Sequence, residues 1–148
     1  MTGEQLKEKA GKLGGSLWDF LEDAGFAEWG ELQTDETEED AESVMLENRL
    51  SRLCRYLSDA VAIIDRMQGE VIASGELRKN ERGRYEIPEK EFTCGAVFEY
   101  LAQDDFHACP YWRDTSLEAK NEEYYITDRP ETKLDGLRVR IRRTKERG

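Results

Sequence analysis

Asp105 followed by Glu118-Ala119-Lys120 is the first set of residues in this chain whose types and spacing could make or break a bond. Two carboxylates can hold Mg²⁺ while a lysine orients the attacking water, the arrangement of metal-dependent nucleases. Glu-x-Lys also arises by chance in a chain that is 37% charged. His107, Cys109 and Cys94, with Asp104 or Asp105 as a fourth donor, are ligand types that suit zinc. The spacing of a finger or ribbon is absent, so core cysteines beside a loop histidine are the simpler reading. His107 is the only histidine, and no nucleophile motif surrounds it. Gly11, Gly14 and Gly15 follow no strand pattern, so there is no phosphate loop or dinucleotide fingerprint. The motifs support neither a catalytic residue nor a cofactor nor a metal, and a non-enzymatic protein is the expectation.

Charge is distributed far more distinctively. From Leu13 to Asn48 there is no lysine or arginine, while acids recur throughout. Arg138 to Gly148, in contrast, carries six basic groups against the single acid Glu146. The net charge of −11 disfavours non-specific binding to nucleic acid or anionic lipid and favours basic partners. Carboxylates on successive helical turns, about 5.4 Å apart, approach the phosphate spacing of one nucleic-acid strand. Glu28, Glu31, Asp35, Glu38 and Glu42 have the 3-4-3-4 spacing that would align them on a continuous helix, with Gly30 as the position that could break it. Glu28, Glu31, Asp35, Glu36, Glu38, Glu39 and Asp40 are therefore the candidate acidic contacts. A solvated face or linker is the plainer alternative.

The second candidate surface is Arg138, Arg140 and Arg142, which alternate with Leu137, Val139 and Ile141. Period two puts the arginines on one face of a strand, where they could grip phosphates or an acidic rim. Cross-strand pairing with Glu118, Glu122 or Glu123 is the alternative. Tyr111, Trp112, Tyr124 and Tyr125 could stack bases or form a core. Of the adjacent tyrosines one must face out, and Tyr125 is the contact candidate.

These residues need elements to carry them. Leu6, Ala10 and Leu13 have helical spacing before a break at Gly14-Gly15. Ser16 can cap a second helix that Gly25 ends, and Phe26, Trp29 and Leu32 follow. A long helix is expected to start between Asp35 and Glu39, capped by Thr34, Asp35 or Thr37, and to end at Gly69. Its seam of Leu46, Leu50, Leu53, Leu57, Ala60, Ile64 and Met67 either packs internally or forms a helix-mediated dimer. Strands are expected at Val71–Lys79, Gly83–Ile87, Ala96–Leu101, Tyr111–Ala119, Glu123–Thr127 and Leu137–Arg143, with Pro88, Pro110 and Pro130 in the gaps. So many short strands suit a small closed barrel. The fold class is therefore α+β: an acidic helical region over residues 1–69 with one long helix, then a small SH3-like antiparallel β-barrel over residues 70–148. Cys54, Cys94 and Cys109 are odd in number and without CxxC spacing, which suits reduced thiols in a cytoplasmic protein. No apolar run approaches the roughly 18 residues of a membrane span, and no leader-like apolar region follows Met1.

The β half resembles DUF5348, a bacterial domain found in small proteins of Firmicutes and their mobile elements. Gly83-Arg84-Tyr85-Glu86, Cys94-Gly95, Phe98-Glu99, Trp112, Leu117-Glu118, Tyr124-Tyr125 and the closing Leu134 to Arg142 segment carry the resemblance, over about Gly75 to Arg143. Where the family pattern tends to show Ser-Gly, this chain has Cys94-Gly95. The resemblance assigns no chemistry. It implies a fold and a setting of plasmids, integrative elements and phages, where small acidic proteins are often counter-defence factors. The resulting expectation is an anti-CRISPR-like inhibitor that docks its acids into the basic groove of a nucleic-acid-binding protein, with a CRISPR effector nuclease as the foremost candidate. A nucleic-acid-binding module using the Arg138–Arg142 face is the alternative, and a metal-dependent nuclease the second alternative. The chain is expected to be a monomer or a helix-mediated dimer.

Overall fold

The computed structural model describes residues 1–34, 40–144 and 146–147. The chain divides into two compact units, Met1–Gly69 with Thr144–Gly148, and Glu70–Arg143. The expected second domain ran to residue 148. The tail beyond Arg143 instead groups with the helices, because Arg147 forms an ion pair with Asp65.

The helical unit contains α1 (Gly3–Asp23), α2 (Phe26–Trp29) and α3 (Ala41–Gln68). A reciprocal capping box starts α1: Thr2 Oγ1 accepts from the Gln5 amide at 3.1 Å, and Gln5 Oε1 accepts from the Thr2 amide at 2.8 Å. The helix runs unbroken through Gly14-Gly15, contrary to the expected break. Tertiary packing outweighs the cost of about 1 kcal/mol per mid-helix glycine: a Cβ at Gly14 would lie 3.0 Å from Ile64 Cγ2. Gly25 (φ 72°) ends α1 as expected, and Gly30 (φ 71°) ends α2.

Asp40 caps α3, its carboxylate accepting from the Ser43 amide at 2.8 Å, so the described helix begins just past the expected window. It packs antiparallel on α1, with Gln68 Nε2 donating to the Lys7 carbonyl at 2.8 Å. The buried stripe is rotated from the expected seam. Leu50, Cys54, Leu57, Val61 and Ile64 turn inward, while Leu46, Leu53 and Met67 are exposed. Cys54 and Val61 supply apolar bulk that a leucine-only reading overlooks, and they meet Leu17, Trp18, Leu21 and Phe26.

The β unit contains β1 (Val71–Glu76), β2 (Arg78–Lys79), β3 (Tyr85–Ile87), β4 (Lys90–Glu91), β5 (Val97–Ala102), β6 (Tyr111–Lys120), β7 (Glu123–Ile126) and β8 (Arg138–Arg142). The α+β class holds, but the barrel does not close. One sheet has the order β1-β8-β5-β6-β7 and the other β2-β3-β4. Closure fails because the expected first strand is split at buried Leu77. Its amide bonds to the Leu137 carbonyl and its carbonyl accepts from the Gly136 amide, which diverts the strand from one sheet into the other. Gly75 lets the sheets approach, since a Cβ there would sit 3.2 Å from Pro88 Cδ. Leu77, Ile87 and Phe92 share one core with Phe98, Tyr100, Leu117, Ile126 and Val139, each such side chain worth about 1.5–3 kcal/mol when fully buried.

Candidate functional site

Antiparallel register decides which side chains share a face of the larger sheet. Glu99 of β5 lies opposite both Asp114 of β6 and Arg140 of β8, so these three point away from the core. Arg140 Nε donates to Glu99 Oε1 at 2.6 Å and Arg142 Nε to Glu99 Oε2 at 2.7 Å. One carboxylate thus holds two of the three candidate arginines. The Arg140 guanidinium also lies 4.0 Å from the centre of the Trp112 ring, a cation–π contact. Arg138 is exposed and makes no ion pair among the described residues. The expected partners Glu118, Glu122 and Glu123 are not used, because β8 pairs with β1 and β5 rather than with β6 or β7. Glu99 was missed. An acid between Phe98 and Tyr100 on an alternating strand is a signal for an outward partner, but only strand order identifies that partner.

The tyrosine pair divides as alternation requires. Tyr124 packs edge-on against Tyr85 at 6.2 Å and joins the core, whereas Tyr125 lies opposite Glu118 on the outer face, half-buried. Trp112 belongs to that outer face, and Tyr111 packs inward.

A dense polar network borders the core near the ends of β5 and β6. Asp128 accepts from Arg113 Nε at 2.6 Å, from Arg113 Nη2 at 3.0 Å and from the Tyr100 hydroxyl at 2.6 Å. Arg113's hydrogen bond is the largest reason that the Asp128 carboxyl is held down at about 2, and Tyr100's adds to it. Burial, then the bond to Asp128, pushes the Tyr100 phenol up to about 12. Asp104 accepts from Tyr111 at 2.5 Å and lies 2.9 Å from His107 Nδ1, and those bonds hold its carboxyl well below the usual range.

The Asp128 shift has a pH consequence. Its folded pKa lies below the unfolded value near 3.8, so its stabilisation is complete above that value and is lost as pH falls toward about 2. The urea midpoint of the β unit is expected to drop between pH 4 and pH 2. In Asp128→Asn that drop should be shallower; an unchanged acid profile would show that other carboxylates govern it.

The acidic candidates are not aligned on one helix. Gly30 is left-handed and Glu31–Thr34 carry no helix, so the 3-4-3-4 alignment fails at its first step, from Glu28 to Glu31. Glu28 is exposed on α2 and lines a cleft of about 400 Å³ with Trp18, Glu22, Ala27 and Arg147. Glu31 is exposed. Asp40 is exposed too, with its carboxyl lowered by the Ser43 amide whose helix it caps. Asp35, Glu36, Glu38 and Glu39 lie outside the described residues.

Among the described residues no group of three or more His, Cys, Asp or Glu side chains is placed to hold a metal ion, so the His107–Cys109–Cys94 set with an aspartate is not assembled. The cysteines are free. Cys54 is buried, and burial raises its thiol pKa, but Cys94 and Cys109 are exposed rather than in a core because both sit in connections flanking strands. No helix among the described residues is long and apolar enough to cross a membrane.

Comparison with known proteins adds one match. No curated protein and no solved structure matches the chain. Residues 75–141 match the family model described as a domain of unknown function, DUF5348. They take in the core strands from the end of β1 into β8, Glu99 with Arg140, and the Asp128 network. The C-terminal part of this chain is DUF5348-like over residues 75–141.

Proposed function

We propose that this protein is a non-enzymatic binding protein whose acidic helical unit docks into a basic groove of a nucleic-acid-handling protein. The observation that carries the reading is the stretch from Leu13 to Asn48, free of lysine and arginine, whose described candidate acids Glu28, Glu31 and Asp40 are all exposed. Arg147 returns to the helical unit but takes up Asp65. It leaves those three acids without an ion pair among the described residues. Unpaired surface carboxylates steer association with a basic surface and repel nucleic acid. The finer proposal is an inhibitor of host defence carried by a mobile element, acting anti-CRISPR-like on an effector nuclease. Its support is this charge pattern and the setting the DUF5348 resemblance implies.

The test is a pull-down from a host lysate, followed by elution with rising salt. A basic nucleic-acid-binding protein is expected, released by salt. A variant with Glu28, Glu31, Glu36, Glu38 and Glu39 changed to Gln, and Asp35 and Asp40 to Asn, should lose it. Undiminished capture by that variant removes the idea.

Direct nucleic-acid binding by the arginine face is disfavoured by Glu99, which occupies Arg140 and Arg142. The expected result is no measurable binding of single-stranded DNA by the natural chain at low salt. Glu99→Gln, with both guanidinium groups released from a charged partner, should gain about tenfold or more, reversibly with salt. Binding by the natural chain that Arg140→Ala weakens would favour the arginine face instead.

A further inference from the structure

Asp65 is a charged residue at a core position. It lies beside Ile64 on the face of α3 that packs inward and is only 7% exposed. A carboxylate so placed is tolerated only when paired. The pairing is complete: Arg147 Nε lies 2.8 Å from Oδ2, and Arg147 Nη2 lies 2.8 Å from Oδ1. This is the parallel two-bond fork of a guanidinium, which an ammonium group cannot reproduce.

The surroundings are shaped to the same group. The guanidinium carbon sits 5.9 Å from the centre of the Trp18 ring. A Cβ at Gly14 would approach Arg147 Nη2 to 3.3 Å, so the bare backbone of α1 leaves the room. Asp19 adds a favourable charge. The cleft lined by Trp18, Glu22, Ala27, Glu28 and Arg147 continues from the site with two more carboxylates. The receptor is thus built from two packed helices, whereas its occupant comes from the segment beyond Arg143. Among the described residues the hydrogen bonds of the tail beyond Arg143 are those of the Arg147 guanidinium.

We propose that Gly14, Trp18 and Asp65 form an arginine-binding site, which the chain's own Arg147 fills until an arginine of a basic partner replaces it. Asp65 forbids an empty site, but exchange of one guanidinium for another leaves no buried charge unpaired. The exchange is therefore nearly balanced, and the local concentration of the incoming arginine drives it. This inference rests on the reading that the partner is basic, and it narrows the contact to arginine.

The test uses the full chain, isotope-labelled for NMR, and the acetylated, amidated peptide Thr-Lys-Glu-Arg-Gly, which is the tail's own sequence. The reporters are the Trp18 indole N–H, which donates to Glu22 at 2.7 Å, and the Arg147 Nε–H. Millimolar peptide is expected to shift the indole signal and to move the Arg147 signal to its solvent-exposed position. The peptide with lysine for arginine, of equal charge, should bind at least about tenfold more weakly. Full-length Arg147→Ala should bind the arginine peptide more tightly than the natural chain does, and Asp65→Asn should not bind it. Unmoved signals in the natural chain overturn the site, even if Arg147→Ala does not fold, and so does equal binding of the two peptides. Exchange that persists in the chain carrying the seven neutralised acids, when that chain also retains its lysate partner, would sink the functional reading and leave the arginine site standing.

Discussion

Tyr100→Ala is expected to leave the β unit close to unfolded at room temperature. The ring is 1% exposed on β5, a strand flanked by β8 and β6, and it packs in the core that both sheets share. Aromatic-to-alanine changes at such positions cost about 3–5 kcal/mol, because the cavity cannot fully collapse. Small domains have about 5–15 kcal/mol in all, and an open pair of sheets with several two- and three-residue strands belongs toward the lower end. The hydroxyl is a separate and smaller matter. Tyr100→Phe removes one of the bonds to Asp128 while both bonds from Arg113 remain, so about 1 kcal/mol is expected. Urea unfolding followed by Trp112 fluorescence reads the unit directly, since the other tryptophans, Trp18 and Trp29, lie in the helical unit. Equal losses for the two variants would show that the polar network, rather than the ring, sustains this core.

The second large effect is expected at the ion pair of the helical unit. Arg147→Ala removes a side chain of the segment beyond β8, yet it strands a buried carboxylate on α3. Side-chain exposures of 9% and 10% place the pair with buried rather than surface ion pairs. Breaking such a pair by deleting one partner costs about 3 kcal/mol or more. Asp65→Ala combined with Arg147→Ala removes the stranded charge, so the double variant should recover much of that loss. The measurement is thermal unfolding followed by helical circular dichroism, with hydrogen exchange along α3 as a local reading. A loss below about 0.5 kcal/mol for Arg147→Ala would place the pair among ordinary surface bridges.

Short-range rules made much of this architecture legible. The end of α1 at Gly25 and of α3 at Gly69 both follow from residues within a few positions of one another. The strands other than the two-residue β4, which was not expected, follow from alternation, and the DUF5348 segment from its own residues. Unbroken α1 was not legible, because the reason that Gly14 sits in mid-helix is Ile64 on another helix. The open sheets were not legible either, since Leu77 diverts its strand only once Leu137 and Gly136 are beside it.

The candidate surfaces divide along the same line. Residue order alone determined that residues 13–48 form an acidic stretch without a basic residue and that Arg138, Arg140 and Arg142 share a face. Only tertiary structure decided which of these charges stay available. Glu99 reaches Arg140 from 41 residues away, and Asp65 reaches Arg147 from 82 away. A charge's type and period are local properties of the chain. Whether it is neutralised depends on which element folds beside it, and strand order and helix packing settle that over distances no local pattern spans.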